Sequence, residues 1–188
     1  MAYLRTGNID FAALELEAYL EKWQAFGAGN EDTGKPVAAA RRDIASALAL
    51  IDAGEPDRAR QLLARVRGAF RELHRKVGLD IFADCIFDAD AAARPLWVNR
   101  RDRPDLDQQA QVARVNAEAG HYRTALAACN AKAPAGIAAD QEFRRLMDGS
   151  LHSLSRIPEA LGDKDAGLLY RLLIELRASA RLLAFRYG

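Results

Sequence analysis

Nowhere in its 188 residues does the chain hold a run of 18 uncharged apolar residues, so no membrane-spanning helix is expected. An excess of one charge is missing too, with 27 basic side chains against 26 acidic and a net charge of +1. That balance excludes a global field that would draw the chain to nucleic acid, and any electrostatic recognition must be local. No charged-then-apolar leader opens the sequence. Met1-Ala2 runs straight into Tyr3-Leu4-Arg5, already helical in character, so a removed leader or upstream segment is expected and the compartment is not legible at this end.

Cysteine is scarce: Cys85 and Cys129 are the two present, and neither sits in a C-x-x-C or C-x-x-C-H context. This excludes covalent c-type haem and the common zinc motifs. The pair is read either as one disulfide of an exported protein or as two free thiols packed as small core residues. G-x-S-x-G, P-loop, H-E-x-x-H and dinucleotide fingerprints are absent, and serine, cysteine and histidine never cluster locally. The expectation is a protein that is not an enzyme.

Strand signals are nearly absent as well, and the apolar residues that are present recur at steps of three and four. The fold class is therefore all-α. Ile9, Ala12, Leu16, Leu20 and Trp23 form one stripe over 8–26, ended by Gly27, Gly29 and Gly34. A second helix over 36–53 turns Val37, Ala40, Ile44, Leu48 and Ile51 inward and stops at Gly54, suited to a left-handed cap. Pro56 then opens a third, which buries Leu62, Leu63, Val66, Phe70, Leu73 and Val77 and ends at Gly78. Asp80 is expected to cap a fourth over 80–98, carrying Ile81, Phe82, Cys85, Ile86, Leu96 and Trp97, with Pro95 kinking or ending it. Polar 99–104 reads as the internal joint. Helices over 105–119, 121–131, 138–161 (with Pro158 near its end) and 165–187 complete the chain.

A displacement of 110 positions superposes the third helix on the last without a gap. Leu62, Leu63, Arg67, Arg71, Leu73 and Gly78 meet Leu172, Leu173, Arg177, Arg181, Leu183 and Gly188, six identities in 17 positions. Thr6-Gly7-Asn8 similarly matches Ala119-Gly120-His121 as helix, glycine turn, helix. The spacing of Gly7, Gly54, Gly120 and Gly162 fits no solenoid period. The expected architecture is a single helical domain of two pseudo-repeats, about 1–79 and 103–188, bridged by helix 80–98, each repeat an up-and-down four-helix unit.

The hairpin over 44–78, with its short glycine-proline turn and its ending Arg71-Glu72-Leu73-His74-Arg75-Lys76, resembles the last two helices of the periplasmic b-type four-helix cytochromes, a fold similar to cytochrome c-prime. In that family a histidine near the end of the last helix ligates haem iron, and His74 stands in the matching place. The family's methionine ligand on the first helix has no counterpart: the methionines are Met1 and Met147, and the second copy carries Ala184 opposite His74. The tail LLYRLLIELRASARLLAFRYG resembles the C-termini of exported bacterial helical proteins, which implies a haem-free relative of the bundle in the periplasm, with the cytoplasm as alternative.

Other candidate sites follow from charge spacing. Asp80, Asp84 and Asp88 form an i, i+4, i+8 stripe suited to a hard cation, or to an ion-pair ladder with Arg67, Arg71 and Arg75. The repeated Arg67, Arg71, Arg177 and Arg181 are candidates to converge on an anionic ligand. His121 and His152 lack a second ligand at i+3 or i+4, and Trp23 and Trp97 fit apolar stripes. The functional expectation is a non-enzymatic, exported bundle that binds a protein partner or small ligand without a cofactor; the alternative is a haem b or metal electron-transfer protein using His74.

Overall fold

The structure, a computed structural model, describes residues 3–4, 7–25 and 31–188, the side chains of 22–25 and 31–36 excepted. All regular structure among the described residues is helical: α1 Ile9–Ala25, α2 Glu31–Asp52, α3 Pro56–Lys76, α4 Phe82–Arg101, α5 Gln109–Lys132, α6 Ala135–Ala138, α7 Gln141–Gly162 and α8 Ala166–Arg186. They divide between two compact units, Met1–Asp80 and Ile81–Gly188. The boundary falls before α4, so this helix is a full member of the second unit's core rather than a bridge between repeats.

In the first unit α2 packs on both α1 and α3. Ala40, Ile44, Ala47 and Ile51 recur at steps of four and three and form the buried line of α2, against Ala59, Leu62, Leu63 and Val66 of α3. Leu48 lies off that line and is half-buried, while Val37 is exposed. Val77, expected inside, is 59 % exposed because α3 ends at Lys76 and the next residue has left the helical register. Trp23 falls among the side chains left undescribed, and Gly27 and Gly29 lie outside the described residues.

The second unit is a ring: α4 packs on α5, α5 on α7, α7 on α8, and α8 on α4. Its core joins Leu96, Tyr122, Phe143, Met147, Leu173 and Leu176 into one apolar cluster with residues from all four helices. Three sequence expectations give way to that packing. The helix through Pro95 continues to Arg101, because Ala93, Leu96 and Asn99 are all buried on its inner face while the proline is exposed. Asp80 lies before the helix, and Ile81 rather than Asp80 holds the N-cap position. Gly120 is no turn but the interior of a continuous α5, flanked by the buried Ala119 and Tyr122, whose packing outweighs the roughly 1 kcal/mol helix penalty of a glycine. The match of Gly120 to Gly7 fails with it, since Gly7 is a true turn at φ +76°.

The short α6 precedes α7, which begins at Gln141 rather than 138. Asp140 sets that start: its carboxylate accepts the N–H of Phe143 at 2.9 Å and the Tyr187 hydroxyl at 2.8 Å. These bonds, the Phe143 amide first, hold the Asp140 carboxyl below the usual range. A carboxyl lowered in the folded state adds stability that is complete above its unfolded pKa and disappears as pH falls through the folded one. We expect Asp140→Ala to lower the melting temperature at neutral pH but to narrow its gap from the parent as the pH falls below the ordinary carboxylate range and the parent's carboxyl is protonated in turn. Thermal melts of both proteins across that range check this; a gap that stays constant would show that the charge on Asp140 contributes nothing.

Within each unit one hairpin follows the same plan. Displaced by 110 positions, the bounds of α2 and α3 land on those of α7 and α8. The left-handed residue of each turn coincides too, Gly54 at φ +75° with Lys164 at φ +54°. Each following N–H closes on the carbonyl five residues back, Glu55 on Leu50 at 2.8 Å and Asp165 on Ala160 at 2.9 Å. The eight buried positions named for α2 and α3 fall on Ser150, Leu154, Ile157, Leu161, Leu169, Leu172, Leu173 and Leu176, all buried. Glycine takes the left-handed conformation without steric cost, whereas a lysine does not. Lys164 gains in exchange an ion pair with Asp107, 2.5 Å away in the α4–α5 connection.

Candidate anion-binding cleft

The last turn of α4 continues the helix's inward spacing, Ile86, Ala89, Ala93, Leu96 and then Arg100, toward α8. There Arg100 meets Arg177 and Arg181, one helical turn apart on α8. Together with Ile174 and Ala178 these three arginines line a shallow cleft of about 200 Å³. Among the described residues, no ion pair or side-chain hydrogen bond engages any of the three. Burial above all, then the neighbouring charges of Arg181 and Arg100, lowers the pKa of Arg177 from the usual arginine value. Three cations in one cleft, Arg100 and Arg177 half-buried and Arg181 exposed, without a carboxylate among the lining groups, repel one another, and an anion relieves that repulsion. Planar guanidinium forks suit a carboxylate or phosphate, to which each can donate two parallel N–H bonds. Arg103, just beyond α4, stacks over the ring of Tyr170 in the earlier part of α8 at 5.2 Å.

Of the four arginines expected to converge, the structure brings Arg177 and Arg181 together; Arg67 and Arg71 belong to the first unit. Arg100 was missed because 99–104 reads as a polar joint. The signal lay in the inward spacing, which runs past 98. Asn99, in the same turn, is buried and donates to Glu118 at 2.6 Å, and Glu118 in turn accepts Arg114 at 3.0 Å. This polar link to α5 holds the helical turn that places Arg100.

The acidic stripe is broken: Asp80 precedes α4 and closes the first unit, while Asp84 and Asp88 lie on α4 in the second. No group of three or more His, Cys, Asp or Glu suited to a metal occurs among the described residues. His74 is half-buried on α3, its ring 6.3 Å from that of Phe70. Met147 is fully buried in the second unit's core, α1 carries no methionine, and Met1 lies outside the described residues. Ala184, opposite His74 in the 110-residue match, is buried. His121 and His152 are exposed. Trp97 is half-buried and stands edge-on to Tyr122 at 5.6 Å. Cys85 and Cys129 form a disulfide between α4 and α5 with Cα atoms 5.5 Å apart, which resolves the alternatives left by their sequence contexts.

Comparison of the chain with protein-family models, with characterised proteins and with solved structures finds no match.

Proposed function

We propose that this protein is a non-enzymatic helical module that recognises an anionic group, carboxylate or phosphate, in the cleft of Arg100, Arg177 and Arg181. The observation that carries the reading is the convergence of three guanidiniums without a carboxylate among the lining residues. The disulfide supports an exported protein of an oxidising compartment such as the periplasm, where such bonds persist. The shared plan of the α2–α3 and α7–α8 hairpins supports an internal duplication, with the ring of the second unit as the complete up-and-down copy. Only over 62–78 does the match retain identical residues, so what the copies share is the apolar register more than a site.

Isothermal titration of the full chain with inorganic phosphate, and separately with a dicarboxylate, tests the reading. Binding that weakens with added salt is expected, and Arg177→Ala should weaken it at least about ten-fold, the loss of one charge-assisted hydrogen bond of roughly 1.5–3 kcal/mol. Neither anion binding, or binding unchanged in Arg177→Ala with its helical circular dichroism intact, would overturn it.

A further inference from the structure

The helix that carries the cleft also turns apolar side chains to water. Ile174, Leu182 and Phe185 are 41 %, 40 % and 54 % exposed, unusual for the outer face of a packed bundle helix. At 100° per residue Ile174, Ala178, Arg181 and Phe185 lie within about 60° of one another on the outer crest of α8, with Leu182 beside them. Arg171 and Arg177 flank this strip, and the one acid of the helix, Glu175, turns to α7, where it accepts the Ser153 hydroxyl at 3.1 Å. The outer face of α8 is therefore cationic and apolar together, with its carboxylate directed elsewhere.

That combination selects among occupants. A second copy docked face to face would set Arg177 and Arg181 against their own equivalents, a like-charge contact. A partner helix would need a groove between two ridges, whereas these apolar side chains stand on the crest of one. A flat interface with anionic groups above an apolar layer meets both features at once. We infer that the outer face of α8 docks on an anionic phospholipid surface, a headgroup phosphate entering the Arg100–Arg177–Arg181 cleft while Ile174, Leu182 and Phe185 reach the boundary of the acyl layer. The inference rests on the anion-binding reading of the cleft, whose 200 Å³ admit a phosphate group but not a whole lipid.

Co-sedimentation of the full chain with vesicles tests it, using phosphatidylcholine alone and phosphatidylcholine mixed with phosphatidylglycerol. Binding is expected to the mixed vesicles only, to fall with added salt, and to weaken about five-fold in Arg177→Ala. The exposed pair Leu182→Ala/Phe185→Ala should also weaken vesicle binding, while phosphate titration and circular dichroism stay as in the parent. Equal sedimentation with both vesicle types overturns the inference. So does its absence from both while phosphate still binds in an Arg177-dependent way, an outcome that leaves the cleft as a site for a free anion or an acidic peptide. Loss of both phosphate and vesicle binding removes the inference together with the reading beneath it.

Discussion

Phe143→Ala is expected to lower the unfolding free energy by about 3–5 kcal/mol, the range for deleting a fully enclosed phenyl ring. Phe143 lies in the first turn of α7 and is 0 % exposed. Phe82 of α4 meets its ring edge-on at 5.8 Å, and Tyr187, just beyond α8, does so at 5.2 Å. The guanidinium of Arg144 lies 4.9 Å from the same ring. Three helix ends therefore close around one side chain, and its backbone N–H is the donor that Asp140 caps. Alanine keeps the cap but leaves a cavity that the surrounding rings cannot fill without moving three helix ends. Urea unfolding followed by near-ultraviolet circular dichroism measures the loss; a shift below about 1 kcal/mol would mean that the site collapses and that the aromatic cluster contributes little.

The second large effect is expected from the disulfide. Cys85 and Cys129 are 44 positions apart in sequence, and closing a loop of that length in the unfolded chain is worth about 4 kcal/mol in the chain-entropy treatment. Cys129 is 1 % exposed and Cys85 half-buried, so the bond lies largely inside the α4–α5 pair. The double substitution Cys85→Ala/Cys129→Ala should destabilise the protein by a comparable amount, while the helical signal at low temperature persists because the apolar cluster around the pair remains. Denaturant curves for the oxidised protein, the reduced protein and the double variant decide it. Coincident midpoints for all three would show that packing alone holds α4 against α5.

How far this architecture could be anticipated differs between its parts. The helical class, the Gly54 turn and the start of α3 at Pro56 follow from local rules, since a left-handed glycine and a proline in the first turn act within a few residues. The same rules misplace the joint. Residues 99–104 are polar and contain a proline, yet the chain divides before Ile81. Asn99 is polar on paper and buried in fact, its amide N–H donating to Glu118, nineteen positions away. Gly120 reads as punctuation and sits in mid-helix, because Ala119 and Tyr122 on either side are drawn into the core. In each case a contact distant in sequence outweighed a local preference of about 1 kcal/mol.

The cleft divides along the same line. Arg177 and Arg181 were legible as a pair, being one turn apart on a helix whose register the apolar stripe sets. Their third partner was not, because nothing in the sequence states that the last turn of α4 packs beside α8. The sequence by itself determined the helical class, the Gly54 turn and the apolar stripes of most helices, all governed by interactions within a helical turn or two. Only the tertiary structure decided where the units divide, whether the two cysteines bond and which charges meet, because those depend on how apolar faces far apart in the chain close on one another.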